Sequence, residues 1–91
     1  MPFMLTKIRI EDYDAWKEMF DSDPAGARKD ATGHRILRGV EDPHELFIQV
    51  EFPSADAATA GRERLVSSGV LERVHVEAGP TVTEVAERVS Y

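Results

Sequence analysis

His34-Arg35-Ile36-Leu37-Arg38-Gly39-Val40 and Leu46-Phe47-Ile48-Gln49-Val50-Glu51-Phe52 are two β-rich runs joined by Glu41-Asp42-Pro43-His44-Glu45. Proline just inside a short polar linker is placed for a tight turn, so the pair reads as a hairpin. Outward from it, Met4 to Ile10 alternates, with Met4, Thr6, Ile8 and Ile10 on one side and Leu5, Lys7 and Arg9 on the other, the period of a strand. Between them Asp12 can cap a helix whose Tyr13, Trp16, Met19 and Phe20 recur at spacings of three and four. That helix is expected to break near Ser22. Asp23-Pro24 reads as a second helix start, and Gly33 as its stop.

On the other side of the hairpin, Pro53-Ser54 opens a helix with Ser54 as cap and Asp56 in the first turn, interrupted at Gly69. Small residues dominate its start. Val70 to Ala78 reads as a further short helix ended by Gly79-Pro80, and Thr81 to Val89 as a last strand. The order is βαββαβ. Both crossovers are long enough to carry a helix, and right-handed connections put both helices on one face of one sheet. The expected fold is α+β: a ferredoxin-like βαββαβ sandwich, an antiparallel sheet with helices on one face.

The other face of that sheet mixes Leu5 and Phe47 with Lys7, Gln49 and Glu51, and strand two adds Ile36 or Leu37. A face bathed in water alternates more cleanly. Covering it with a second copy would bury several hundred Å² more per chain, at roughly 25 cal/mol per Å² of apolar area. A homodimer through the sheet face is therefore expected; an amphipathic monomer is the alternative.

At 91 residues there is room for one domain and no second core, so separate substrate and cofactor domains are excluded. Seventeen acidic against eleven basic residues give a formal charge of −6, which argues against a nucleic-acid surface or a polybasic membrane patch. With no cysteine, disulfides, thiolate metal sites and cysteine nucleophiles drop out. Lys7 and Arg9 interrupt any signal-peptide core, and no stretch nears the ~20 apolar residues of a membrane span. The expectation is a cytoplasmic protein whose partners are small molecules or other copies of itself. The six glycines form no phosphate-cradling loop, and Ser67 and Ser68 lack a nucleophile-elbow setting.

The run Tyr13-Asp14-Ala15-Trp16-Lys17 with Phe20-Asp21, Gly33 before a strand carrying Arg35 and Arg38, Asp42-Pro43, the strand ending at Phe52, Ser68-Gly69-Val70 and Gly79-Pro80 resembles the small dimeric α/β-barrel proteins related to antibiotic biosynthesis monooxygenases. The likeness spans nearly the whole chain. It implies two ferredoxin-like protomers closing their sheets into a barrel. The activities it implies are diverse: cofactor-free oxygenation of polyketide-like aromatics, polyketide cyclisation, lactone isomerisation and haem degradation. Since the sequence contains no asparagine, it departs from both the haem-degrading and the oxygenase patterns.

Candidate residues follow. His34 and Arg38 share one side of strand two, about 13 Å apart, with Ile36 between. Around an enolate or phenolate, the histidine would exchange the proton and the arginine hold the oxyanion. The same pair also reads as a solvated strand end. Tyr13, Trp16 and Phe20 form an aromatic stripe that serves as core or stacks on a flat substrate, with Tyr13 and Trp16 as candidate binders. Gln49 is the central polar group of strand three, a ligand donor or a dimer-interface amide. Glu72 and His75, three apart on the expected last helix, could offer two metal ligands with no third, and His44 is expected to be exposed. The reading is an oxygenase or cyclase on an aromatic molecule with neither metal nor cofactor; the alternative is a non-catalytic binding or assembly module.

Overall fold

The computed structural model describes residues 1–91. Its elements are β1 (Phe3–Arg9), α1 (Tyr13–Ser22), β2 (Gly33–Arg38), β3 (Glu45–Glu51), α2 (Ala55–Ser67), a 3-10 helix (Val70–Arg73) and β4 (His75–Thr83). All pairings are antiparallel and the strand order is β2-β3-β1-β4, a four-stranded sheet compatible with a ferredoxin-like arrangement. No helix is long and apolar enough to cross a membrane.

Both expected caps are present. Asp12 accepts from the Ala15 amide at 3.1 Å and Ser54 from the Ala57 amide at 3.1 Å, each satisfying a donor that the first helical turn leaves free. The alternation of β1 holds: Met4, Thr6 and Ile8 are buried with Leu46, Ile48 and Val50 of β3. The core gathers between this face and the helices, with Phe52, Ile8 and Leu46 its most enclosed large side chains.

Three expectations need correction. No helix follows Asp23: that residue takes a left-handed conformation (φ 45°), Gly26 does likewise (φ 63°), and residues 24–30 are turns. Val70 to Ala78 is not one helix, because the chain makes a single 3-10 turn and then enters β4 at His75. The last strand accordingly runs over His75–Thr83 rather than Thr81 to Val89. It stops where its partner begins, since Thr83 pairs with Phe3 at the start of β1.

β4 is irregular against β1. Leu5 pairs with Thr81 and Lys7 with Ala78, so Thr6 stands opposite two residues, Gly79 and Pro80. Gly79 (φ 79°) is required there: a Cβ would lie 2.3 Å from the Leu5 carbonyl oxygen.

The two helices pack with side chains of different size. Gly61 of α2 lies so close that a Cβ would come within 2.7 Å of the Ala27 carbonyl and 2.8 Å of the Phe52 ring, and Ala58 beside it is fully buried. Arg62 adds a bond from Nε to the Pro80 carbonyl at 2.8 Å. On α1 the packing residues are Tyr13, Trp16, Met19 and Phe20, all large. Small residues on one helix and large ones on the other leave a wedge between them.

Candidate functional site

That wedge is an apolar crevice of about 80 Å³ between the helix layer and the sheet. Thirteen of its seventeen lining residues are hydrophobic, so water inside it gains little. Trp16, Met19 and Phe20 wall it from α1, Met4, Ile8 and Ile48 floor it from the sheet, and Val70, Leu71 and Val74 cover it from the 3-10 segment. The only polar side chains on its wall are Thr6, Asp23 and Arg28. The two charges are committed to each other. Arg28 Nε lies 3.7 Å from Asp23 Oδ1, Arg28 Nη2 donates to the Phe20 carbonyl, and the guanidinium stacks 3.8 Å from the Phe20 ring centroid.

The sequence-derived candidates separate into two groups. His34 and Arg38 both lie on the helix side of β2, in register with Val50 and Leu46 of β3. They flank an aromatic ladder. Arg38 sits 4.2 Å from the Tyr13 ring, Tyr13 and Trp16 are 5.9 Å apart, Trp16 stacks on Phe20 at 5.0 Å, and His34 meets Phe20 edge-on at 5.1 Å. Of these, Trp16 and Phe20 reach the crevice; Tyr13, His34 and Arg38 lie outside it. Burial against the ladder lowers the His34 pKa below its ordinary value, with the charges of Arg28 and Lys17 adding to the effect and Asp21 opposing it. The imidazole is therefore neutral at pH 7.

Gln49 is on the opposite face of the sheet. Its Oε1 accepts two bonds from Arg35, from Nε at 3.0 Å and Nη2 at 2.8 Å, and it meets His34 only at the rim of a shallow depression of about 300 Å³ that both border together with Gly33, Arg35 and Glu51. Around it Leu5, Leu37 and Phe47 are each nearly two-fifths exposed. The Lys7 ammonium lies 5.5 Å from the Phe47 ring and 3.5 Å from Glu45. A shallow depression of about 290 Å³ runs over this face past Leu5, Phe47, Gln49 and Thr81.

The Glu72–His75 pairing loses its basis, because Glu72 belongs to the 3-10 helix and His75 to β4, and no three metal-ligating side chains come together. His44 is exposed, as expected, with Nδ1 3.4 Å from Asp42. Sequence reasoning missed Thr6 and Arg28 as crevice residues. Thr6 looked like ordinary strand filler, and Arg28 sat in a stretch read as helix.

No family model and no curated protein matches the sequence.

Proposed function

We propose that the chain is a small-molecule-binding protein that holds an uncharged, apolar, ring-bearing molecule in the crevice between its helices and its sheet. The observation that carries this is the lining itself: a gap walled by Trp16 and Phe20 and floored by Met4, Ile8 and Ile48, whose only two charges neutralise each other. An apolar guest there exchanges water contact for aromatic and aliphatic contact. This agrees with the resemblance to the antibiotic biosynthesis monooxygenase-like proteins.

Two copies meeting through Leu5, Leu37 and Phe47 would form the homodimeric barrel which that resemblance implies. Only thirteen of the 91 residues are buried in the single chain, so added apolar burial is a large gain in proportion.

A catalytic reading, cofactor-independent oxygenation or cyclisation of an aromatic molecule, has one observation in its favour. His34 is held neutral and touches the back of Phe20, whose ring borders the crevice. A neutral imidazole one ring away from a bound phenol could accept its proton once Phe20 turns aside.

Thermal unfolding in the presence of single-ring and fused-ring aromatics tests the binding reading. A rise in Tm with single-ring compounds is expected, growing without a plateau as the logarithm of ligand concentration. Unchanged Tm across the set up to millimolar concentration would refute it. For the catalytic reading, His34→Ala should abolish turnover of a bound phenol while leaving its binding intact.

A further inference from the structure

Residues 84–91, Glu84-Val85-Ala86-Glu87-Arg88-Val89-Ser90-Tyr91, continue β4 beyond its last paired residue. All of them are exposed, Val85, Val89 and Tyr91 included, and none makes a hydrogen bond or an ion pair within the chain. At the opposite rim of the sheet, β2 is as bare. Every residue of it except Ile36 is exposed, it contains no proline, and its register with β3 has no slip. The Gly39 amide bonds the Glu45 carbonyl, and in an antiparallel ladder every second residue does so, which turns the amides and carbonyls of His34, Ile36 and Arg38 outward. Between Asp30 and Glu41 the chain carries Arg35 and Arg38 and no acid, against a net charge of −6 for the whole.

We infer that β2 is a strand-addition site and that its occupant is residues 84–91 of a second copy, laid antiparallel with Val85 at Val40, Glu87 at Arg38, Val89 at Ile36 and Tyr91 at His34. Chemistry selects this register. It makes two apolar pairs and one ion pair along one side of the new ladder, and Val40, fully exposed in the single chain, gains a partner. Moving the tail by one residue sets Arg88 against Ile36 or Arg38; moving it by two sets Glu87 against Ile36 or Val40. Antiparallel addition follows the three ladders already in the sheet and is the stronger form. The chain's own tail cannot serve. β4 and β2 are opposite edges, so reaching the far side of β2 means crossing about 19 Å of sheet, and residues 84–91 span only about 26 Å when extended. A second β2 is a poorer occupant, because the seam would gather Arg35 and Arg38 from both copies with no acid between them. The inference rests on the two-copy assembly proposed above. It also brings Tyr91 of the second copy beside His34, which packs on Phe20 at the crevice wall.

The chain has no cysteine, so single introduced cysteines report on contact directly. Val40→Cys and Val85→Cys, both at exposed positions, are refolded together with one of them isotopically heavy, then oxidised, and the mixed disulfide is counted by mass spectrometry. Val40→Cys with Val89→Cys is the control. About tenfold more mixed disulfide is expected from the first pair, since facing Cβ atoms lie ~5 Å apart and a displacement of four residues adds about 13 Å, beyond disulfide reach. An excess from the Val89 pair, which parallel addition would produce, or equal yields from both overturn the proposed pairing. A charge exchange gives a second readout. Arg38→Glu and Glu87→Arg should each weaken the dimer roughly fivefold, and the two combined in one chain should restore it to within about twofold. Residue 87 lies outside the face of Leu5, Leu37 and Phe47, so a dimer held by that face alone is indifferent to Glu87→Arg. A dimer of unchanged affinity in all three variants overturns the tail exchange and leaves the sheet-face assembly standing, whereas a wild-type chain that stays single at micromolar concentration removes both.

Discussion

The imidazole of His34 meets the ring of Phe20 edge-on, with centroids 5.1 Å apart and planes at 76°. Phe20 is also a wall of the crevice, so a titrating group on the edge strand abuts a side chain that borders the interior. Charging His34 therefore affects the fold and the crevice together.

The pH dependence has a definite sign. The His34 pKa is lowered in the folded chain from an ordinary 6.5, so below about that value the unfolded chain binds the proton more readily. Stability is full above pH 6.5 and is lost as the pH falls from there through the folded-state pKa. Wild type should show a steeper fall in Tm between pH 7 and pH 5 than His34→Gln, measured in parallel melts. Matching slopes would remove the assignment.

Gly61→Ala places a methyl group against the Ala27 carbonyl and the Phe52 ring. Neither can yield, since the first is backbone and the second is fully buried. A loss of about 1–3 kcal/mol is expected from denaturant titration, in keeping with overpacked cores.

Asp12→Ala removes the acceptor for the Ala15 amide at the start of α1. About 1 kcal/mol is the expected cost, a drop in Tm of roughly 4–8 °C for a domain of this size. Asp12→Ser should recover most of it.

Assembly is tested on the face that carries Leu5, Leu37 and Phe47. Light scattering at micromolar concentration should give about twice the 10.2 kDa chain mass for wild type, and the single-chain mass for Phe47→Asp. Phe47 is already partly exposed in the single chain, so the aspartate should leave the fold intact. A wild-type species of one chain mass would count against the dimer.

Elements whose pattern is local were legible in the sequence. Asp12 and Ser54 cap their helices, and β1 alternates, because those features depend on neighbours within a turn or a strand. Val70, Leu71, Val74 and Ala78 have helical spacing, but the segment is claimed by pairing with β1 from His75 onward, a partner seventy residues away in sequence that no local period reveals. The alternation of Val85 and Val89 goes unused for the complementary reason: β1 has no residues left to pair with them, and both remain exposed. Of the site, Trp16 was legible as a large residue on the inner stripe. Thr6 was not, because alternation places it on the inner face without revealing that a crevice lies over it. His34 and Gln49 were both credible as single residues, yet the odd-even difference in their strand registers sets them on opposite faces.

The doubled step at Gly79 and Pro80 also governs what can attach to the rim of the sheet. β4 is an outermost strand, and a flat outermost strand invites further strands to add in the plane, the route to fibrillar growth. Here the ladder slips twice and one position offers no amide hydrogen, so an incoming strand would find no continuous row of bonds to extend. Replacing Gly79-Pro80 with residues that straighten β4 would therefore cost solubility before it cost any binding.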